Sequence, residues 1–350
     1  MHRHQVLQAA AIAVAAALAV AADAEGAACP AGMTPFAHLP WPAVETHAHQ
    51  KKESTSCRNL AEPEVLARLA GPVVEREVDA RLRAAPSAWA RVETYVVFIA
   101  TARSGHTLIG SLIDAHPDAV VANEADILGK FLDRRRHPAP DGQFASRDSI
   151  FAHLVSNSMR CGMVGRMQTG YNYSVPGMWN GQWRCGIRVL GDKKGSAMAE
   201  EIQNDRLGAT AFFEALRVER VAVVFVSPST LDDTSERRRR AKAGSKSVPT
   251  TQTELAVRAL ISAVPDATAV EVFRLVDFAC HPRVLLVDLL RFLGLEPYPE
   301  FVDASVKLVD PRFCHHTGNR TSGERKGGVY YAGSNVSSNK VNRNRLRTRP

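Results

Sequence analysis

Several patterns that would assign a function quickly are missing from this chain. It contains no internal repeat, no C-x-x-C pair and no Cys/His cluster with the ligand spacing of a zinc site. The net charge is +8, with basic runs at 134–136, 237–240 and 340–349, but no helix-turn-helix or aromatic-interleaved pattern accompanies this charge. These absences argue against a zinc module and a nucleic-acid-binding protein. We expect the basic runs to be solvated loops, or to attract polyanions.

Long hydrophobic runs are also scarce, and the main one lies at the start. A basic beginning is followed by an alanine-rich apolar run at 7–22 and by the small-x-small pattern Ala22-Asp23-Ala24. This order predicts a secretory signal peptide at 1–24. The run is short for a membrane span, so a short signal anchor is the alternative. Either segment directs the rest of the chain to the secretory pathway.

Cysteines are few but even in number. The six are Cys29, Cys57, Cys161, Cys185, Cys280 and Cys314. An even number in an exported chain allows disulfides. Cys161 and Cys185 bracket a turn-rich segment and are the favoured pair, with free buried cysteines as the alternative. Glycosylation sequons at Asn172, Asn319 and Asn335 agree with a secretory route.

The middle of the chain has the pattern of an α/β domain. Apolar runs at 95–100, 119–122, 187–190, 221–226 and 270–275 predict strands, and helical patterns lie between most of them. Strands separated by helices favour a parallel sheet covered on both faces. We therefore predict a domain at 91–310, preceded by an extension or stem at 25–90 with a helix at 63–82, and followed by a basic tail at 311–350.

The segment 98–124 has the strongest chemical pattern. A strand ends at the small and polar residues 101–105, and apolar residues then recur at helical spacing from Thr107 as far as His116-Pro117. A turn of this kind exposes the first N–H groups of the helix, which together with the helix dipole form an anion site.

This turn is not the phosphate loop of a nucleoside triphosphatase. That loop needs a lysine directly after its last glycine. Here His106 follows Gly105, and the cation, Arg103, precedes it. A site that binds an anion without a metal fits the residues better.

The sequence T-A-R-S-G-H-T-L, followed by L-I-D-A-H-P-D, resembles the 5′-phosphosulfate loop of sulfotransferases that use 3′-phosphoadenosine 5′-phosphosulfate (PAPS). It is most similar to the Golgi tyrosylprotein sulfotransferases and their bacterial and algal relatives, which have R-S-G-T-T-L and then D-A-H-P-D. The resemblance implies a three-layer α/β fold of the P-loop NTPase type, with a parallel sheet flanked by helices. It also implies PAPS as co-substrate without a metal, a hydroxyl acceptor on a glycan, peptide or small molecule, and a Golgi-lumenal or secreted protein.

The resemblance also implies roles for individual residues. The catalytic residues would be Arg103, Glu124 and Lys193, where Glu124 is the general base and Lys193, in Gly191-Asp192-Lys193-Lys194, contacts the oxygen between phosphate and sulfate. The residues that bind the donor would be Arg103, Ser104, Gly105, His106, Thr107, Lys193, Ser227 and Ser235.

For three of these residues, a simpler explanation than a role in donor binding or catalysis stays open. Arg103 would otherwise be a surface cation, and Glu124 would otherwise cap the helix that follows it. His106 replaces the family's hydroxyl residue and offers either its ring or only its backbone N–H, and we do not expect it to be the base. The role of Lys194 stays open.

One motif departs from the family's pattern. An R-x-P motif and a later serine bind the 3′-phosphate in the family, whereas this chain has Val226 at the arginine position, followed by Ser227-Pro228, with Ser235 near the serine position. Loss of a charge-assisted contact costs roughly 1.5–3 kcal/mol. The run 237–240 is a candidate substitute. Rival functions are a weakened or non-catalytic binding protein on the same fold, and a kinase-like nucleotide-dependent transferase.

The glycine- and aromatic-rich segment 165–186 is predicted to be an ordered loop that lines a binding cleft. The alternative is that its aromatic side chains only pack the loop onto the domain.

Overall fold

The computed structural model describes Cys29 and residues 71–84, 88–100, 104–138, 142–163, 166–168, 171–227, 260, 268–311, 314 and 329–331. The predicted signal peptide at 1–24 lies outside the described residues, as do most of the predicted stem and tail.

The described elements alternate between helices and strands. In chain order they are α1 (Gly71–Ala84), β1 (Thr94–Ala100), α2 (His106–Asp114), β2 (Ala119–Asn123), α3 (Ile127–Arg136), α4 (Arg147–Met163), β3 (Met167–Gln168), β4 (Tyr171–Asn172), β5 (Val189–Lys193), α5 (Ser196–Asn204), α6 (Arg206–Leu216), β6 (Arg220–Ser227), β7 (Thr268–Arg274), α7 (Leu275–Cys280), α8 (Pro282–Leu293), α9 (Pro299–Val306) and β8 (Val329–Tyr331).

The main sheet has six strands in the order β2-β5-β1-β6-β7-β8. All neighbouring pairs are parallel except β7 and β8, which are antiparallel. The prediction of an α/β domain around a parallel sheet is confirmed. Because parallel strands end at the same edge, the carboxyl ends of β1, β2, β5 and β6 lie together.

The two faces of the sheet are both covered by helices. Along β1, Tyr95, Val97 and Ile99 pack into a core with residues of α1, α3, α4, α5 and α6. The alternating residues Val96 and Phe98 pack into a second core with α2, α8 and α9. Alternation along a strand sends successive side chains to opposite faces, so β1 contributes to both cores.

The core and the sheet extend beyond the predicted limits of 91–310. Val74 and Val78 of α1 are buried in the first core, and β8 pairs with β7. Elements on both sides of the predicted domain therefore contribute to it.

Strand β5 extends further than the sequence indicated. The predicted strand ended at 190, but Gly191, Asp192 and Lys193 continue it, and Lys193 pairs with Asn123 of β2. Glycine and aspartate are unusual in strands, which is why the pattern predicted an earlier end. A Cβ at Gly191 would lie 2.6 Å from the carbonyl oxygen of Val96, so the close approach of β1 requires glycine there.

The D-A-H-P-D motif that follows α2 joins helix to sheet. Asp114 accepts a hydrogen bond from the N–H of Val121 at 2.7 Å and pairs with Arg166 at 3.2 Å. His116 donates from Nε2 to the carbonyl oxygen of Glu296 at 2.9 Å, and its Nδ1 accepts from the N–H of Asp118 at 3.1 Å. These polar side chains are buried and have structural partners, and they hold the end of α2 at the amino edge of the sheet.

The described residues contain two disulfides, Cys29–Cys185 and Cys280–Cys314. The predicted pairing of Cys161 with Cys185 is wrong. Cys161 is buried in the first core on α4 and is in neither disulfide, whereas Cys185 lies ahead of β5 at the amino edge. Disulfides indicate an oxidising, secretory-type environment. Within the described ranges, no helix combines the length and the apolar character needed to cross a membrane.

Candidate active site at the carboxyl edge of the sheet

The candidate site lies where β2 and β5 end and α2 begins. Thr107 is in the first turn of α2, Glu124 follows β2, and Lys193 is the last residue of β5. The topology of the sheet brings these three residues to one point although they are far apart in sequence.

Lys193 is the centre of the site. Its side chain is 2% exposed, and Nζ donates to Thr107 Oγ1 at 3.2 Å, to Glu124 Oε1 at 3.1 Å and to Gln168 Oε1 at 3.3 Å. The aliphatic stem passes Gly110 of α2, where a Cβ would lie 3.0 Å from Lys193 Cγ. A small residue in α2 therefore leaves room for the lysine to reach the helix N-terminus.

Glu124 is held in an unusual backbone conformation. Its φ is 55°, in the left-handed region, and Asp126 has a φ of 60°. Such conformations cost about 1–3 kcal/mol for non-glycine residues and are concentrated at functional sites. The N–H of Glu124 donates to the carbonyl oxygen of Lys193 at 3.1 Å, which ties the turn to the end of β5.

Asp192 stabilises this turn by hydrogen bonds to its backbone. Its two carboxylate oxygens accept hydrogen bonds from the N–H groups of Ala125 and Ile127, each at 3.0 Å. Complete burial raises the pKa of the Asp192 carboxyl to about 6 despite these bonds. Asp192 accepts from the N–H of Ile127, the first residue of α3, and the Glu124 side chain binds Lys193 and Gln168, so the contacts of Glu124 go beyond those of a helix cap.

Lys194 faces a different set of partners. Its Nζ lies 3.2 Å from Asp126 Oδ2. Glu201 lies beside the same aspartate, and burial, followed by the charge of Asp126, raises the pKa of its carboxyl to about 8. The two neighbouring lysines thus contact different carboxylates, Lys193 at the end of β5 and Lys194 directly after it.

The first turn of α2 has the features of an anion site. Gly105 precedes the helix with a φ of 88° and has no side chain that could cap it. The first N–H groups of α2 therefore lie uncapped by this residue at the carboxyl edge of the sheet, where β5 ends at Lys193. His106 contacts Ser104 Oγ through Nδ1 at 3.2 Å. Burial, and secondarily the charge of Lys193, lower the pKa of His106 to about 3, so the ring is neutral at physiological pH.

The structure brings six of the predicted site residues together. Ser104, Gly105, His106, Thr107, Glu124 and Lys193 lie at the carboxyl edge. Arg103 and Ser235 lie outside the described residues. Ser227 is the last residue of β6, next to Arg274 of β7 in the register of the sheet.

Val226 is fully buried. Its side chain is 0% exposed and belongs to the second core, together with residues of α7 and α8. Position 226, which the resemblance pairs with the cation for the 3′-phosphate, is therefore a packing position.

Two polar residues at the site were not predicted. Gln168, on the β3–β4 hairpin, donates from Nε2 to Glu124 Oε1 at 2.8 Å. Asn123 donates from Nδ2 to Gln168 Oε1 at 3.3 Å, and its N–H donates to Asn157 Oδ1 at 2.8 Å. Asn123 directly precedes Glu124, which was a usable signal, whereas nothing in the sequence around Gln168 indicated a contact with a residue 44 positions away.

The aromatic segment divides into two parts. Its first part forms the hairpin that carries Gln168 and the exposed Tyr171. Its second part lies along the opposite edge of the sheet. There the backbone N–H of Trp179 donates to the carbonyl oxygen of Ala115 at 3.1 Å, and Trp183 is buried. For that second part, the packing alternative is correct.

Within the described part of the chain, no three His, Cys, Asp or Glu side chains are grouped so that they could hold a metal ion. The expectation of a metal-free site stays a prediction.

No family model matches this chain, and no curated protein is significantly similar to it in sequence.

Proposed function

We propose that this protein is a sulfotransferase that moves the sulfuryl group of PAPS to a hydroxyl of a glycan, a peptide tyrosine or a small molecule. The observation that supports this function is the contact of Lys193 with both Thr107 and Glu124 at the N-terminus of α2. This arrangement combines an anion site, a cation and a carboxylate base within hydrogen-bonding distance of one another. These are the three groups that transfer of a negatively charged group to a hydroxyl needs.

The donor's phosphosulfate fits the first turn of α2. The N–H groups from Ser104 to Thr107, the Thr107 hydroxyl and the Lys193 ammonium provide donors for an anion, and Gly105 lets the chain turn without a side chain in the way. Arg103, which directly precedes this turn in the sequence, would add a further cation.

The chemistry needs one base and a stabilised leaving group. Glu124 takes the proton from the acceptor hydroxyl as its oxygen attacks sulfur in line, and the bond from sulfur to the phosphate oxygen breaks. The negative charge that develops on the departing phosphate is held by Lys193, Arg103 and the N–H groups of α2. The products are the sulfated acceptor and adenosine 3′,5′-bisphosphate, and the proton remains on Glu124 until it passes to solvent.

The ion pair between Lys193 and Glu124 couples donor binding to catalysis. In the structure the Lys193 ammonium lies 3.1 Å from the Glu124 carboxylate and engages it. A bound anion at the N-terminus of α2 attracts Lys193 and weakens its contact with Glu124. The carboxylate is then released to accept a hydrogen bond from the acceptor hydroxyl.

A non-catalytic binding protein on the same fold is the second candidate. It is favoured by Val226, because a buried valine at the 3′-phosphate position removes a contact that identifies the donor. A kinase-like transferase is less favoured, because neutral His106 occupies the position of the triphosphatase lysine.

The test combines binding with turnover. Calorimetry should show binding of PAPS and of adenosine 3′,5′-bisphosphate, and weaker binding of ATP with Mg²⁺. Glu124→Gln keeps the size of the side chain and should keep bisphosphate affinity, while sulfuryl transfer to a panel of glycan, peptide and phenol acceptors falls about 10²–10⁴-fold. Unchanged turnover would rule out Glu124 as the base. Binding without turnover in the wild-type chain would favour the non-catalytic candidate, and absence of binding would refute the proposal.

A further inference from the structure

We propose that Gln168 is a positioning residue for the base, which keeps the Glu124 carboxylate oriented while Lys193 turns towards the donor. This inference rests on the proposed sulfuryl transfer. It adds to the site a residue from the β3–β4 hairpin, an element outside the main sheet.

The hydrogen bonds of Gln168 determine which way its amide points. Oε1 accepts from Lys193 Nζ at 3.3 Å and from Asn123 Nδ2 at 3.3 Å, while Nε2 donates to Glu124 Oε1 at 2.8 Å. A flipped amide would direct its NH₂ group at an ammonium and at another NH₂ group, and its oxygen at a carboxylate. Only one orientation satisfies all three neighbours, so the amide is locked.

The hairpin that carries Gln168 is anchored to β2, the strand that leads to Glu124. Arg166, directly before the hairpin, is 3% exposed and donates to the carbonyl oxygen of Val121 at 2.8 Å. It also pairs with Asp114 at 3.2 Å. Arg166 has a φ of 48°, and its N–H donates to the carbonyl oxygen of Cys161 at 2.7 Å, which ties the start of the hairpin to the end of α4. Gln168 and Glu124 are therefore held to the same strand by short connections.

Gln168 and Lys193 contact the same oxygen of Glu124 but differ in charge. The ammonium is attracted to any anion that arrives at α2, whereas the neutral amide is not. When Lys193 shares its charge with the donor, the Gln168 hydrogen bond stays and continues to hold the carboxylate plane. Lys193 and Gln168 thus have different tasks. Lys193 responds to the donor, and the Gln168 amide keeps the Glu124 carboxylate oriented.

Two substitutions of similar length separate these effects. Gln168→Met keeps the length and removes both the donor and the acceptor. We expect it to lower kcat about 10- to 100-fold, as loss of one hydrogen bond to a charged group does, with little change in bisphosphate affinity. Gln168→Glu places a second carboxylate against Glu124, so we expect the acidic limb of the pH–rate profile to move up by about one to two pH units.

Gln182 provides a matched control. It is also a glutamine that contacts a cation, since its Oε1 accepts from Arg81 at 2.8 Å, but it is buried, whereas Gln168 is partly buried, and it lies in the loop at the opposite edge. Gln182→Met should leave kcat, bisphosphate affinity and the pH–rate profile unchanged. Thermal unfolding of each variant shows whether a loss of activity reflects loss of fold.

The outcomes distinguish this inference from the proposed function. If wild-type protein binds PAPS and turns it over, but Gln168→Met keeps its kcat or Gln168→Glu keeps the wild-type acidic limb, the positioning role is wrong and the proposed function stands. If wild-type protein binds neither PAPS nor the bisphosphate, both are wrong. If Gln168→Met does not fold, the acidic limb of Gln168→Glu decides the matter.

Discussion

Acidification should destabilise the protein through His116, whose ring is locked in its neutral form. The side chain is fully buried, stacks on Tyr298 with ring centroids 5.5 Å apart and meets the edge of Phe301 at 5.1 Å. Nδ1 accepts a hydrogen bond from a backbone N–H, so a proton added there would leave two N–H groups facing each other. Burial lowers the pKa of His116 from 6.5 to about 4.

The size of the effect follows from this difference in pKa. Between about pH 6.5 and pH 4 the unfolded chain binds the proton and the folded chain does not, so stability from this residue is present above pH 6.5 and is lost as the pH falls. From pH 7.5 to 5.5 the loss is on the order of 1 kcal/mol, and over the whole interval it is about 3 kcal/mol. His106 and His153 have pKa values lowered by burial to about 3, so they add losses of the same sign.

A difference measurement isolates His116 from the other histidines. Urea unfolding of the disulfide-intact wild type and of His116→Asn at pH 7.5 and 5.5 gives four free energies. The variant keeps an acceptor for the Asp118 N–H but cannot be protonated, so its loss on acidification should be smaller by about 1 kcal/mol. His137→Asn is the control, because that side chain is 76% exposed at the end of α3. If His116→Asn loses as much stability as the wild type, His116 is not held neutral and the reasoning is refuted.

Three further predictions concern the site, the disulfides and the donor. Lys193→Met should lower sulfuryl transfer about 10²–10³-fold, while Lys194→Met, which removes a cation beside Asp126 and Glu201 rather than the one in contact with Glu124 and Thr107, should stay near the wild-type rate; equal effects of the two changes would contradict the assignment. Replacing both cysteines of the Cys29–Cys185 disulfide with serine should lower the free energy of unfolding by about 2–5 kcal/mol, measured with urea, and an unchanged midpoint would be the contrary result. Replacing the four arginines 237–240 with glutamine should weaken binding of adenosine 3′,5′-bisphosphate and leave binding of adenosine 5′-phosphate unchanged, both measured by calorimetry. Equal losses of affinity for the two ligands would mean that these arginines do not contact the 3′-phosphate.

The strands of the sheet were predictable because their composition is local. Runs of valine, isoleucine and phenylalanine identified β1, β2, β6 and β7 to within two residues. Strand β5 was placed too early because Gly191 and Asp192 are typical of turns. Their presence depends on tertiary contacts, the close approach of Val96 and the two N–H groups that Asp192 satisfies.

The site was predictable only where its residues follow strands. Glu124 and Lys193 stand at strand ends, and parallel strands ending at one edge bring them together. Gln168 reaches the site through a two-residue strand, and Cys185 reaches Cys29 across 156 positions. Contacts of this kind depend on how loops fold back over the sheet, and no periodicity in the sequence encodes them.

Val226 limits which residues can bind the 3′-phosphate of the proposed donor. Under the proposed function, the phosphosulfate half of PAPS is bound at the N-terminus of α2 and by Lys193, next to Glu124. The position that serves the other half is 0% exposed and packs in the core with α7 and α8, so a cation there would be buried without a partner. Position 226 therefore supplies no cation for a 3′-phosphate, and we predict that the contact comes from Arg237–Arg240, the nearest cationic run that follows β6 in the sequence. The ratio of affinities for adenosine 3′,5′-bisphosphate and adenosine 5′-phosphate measures this contact alone, because the two ligands share every group that the α2 site binds.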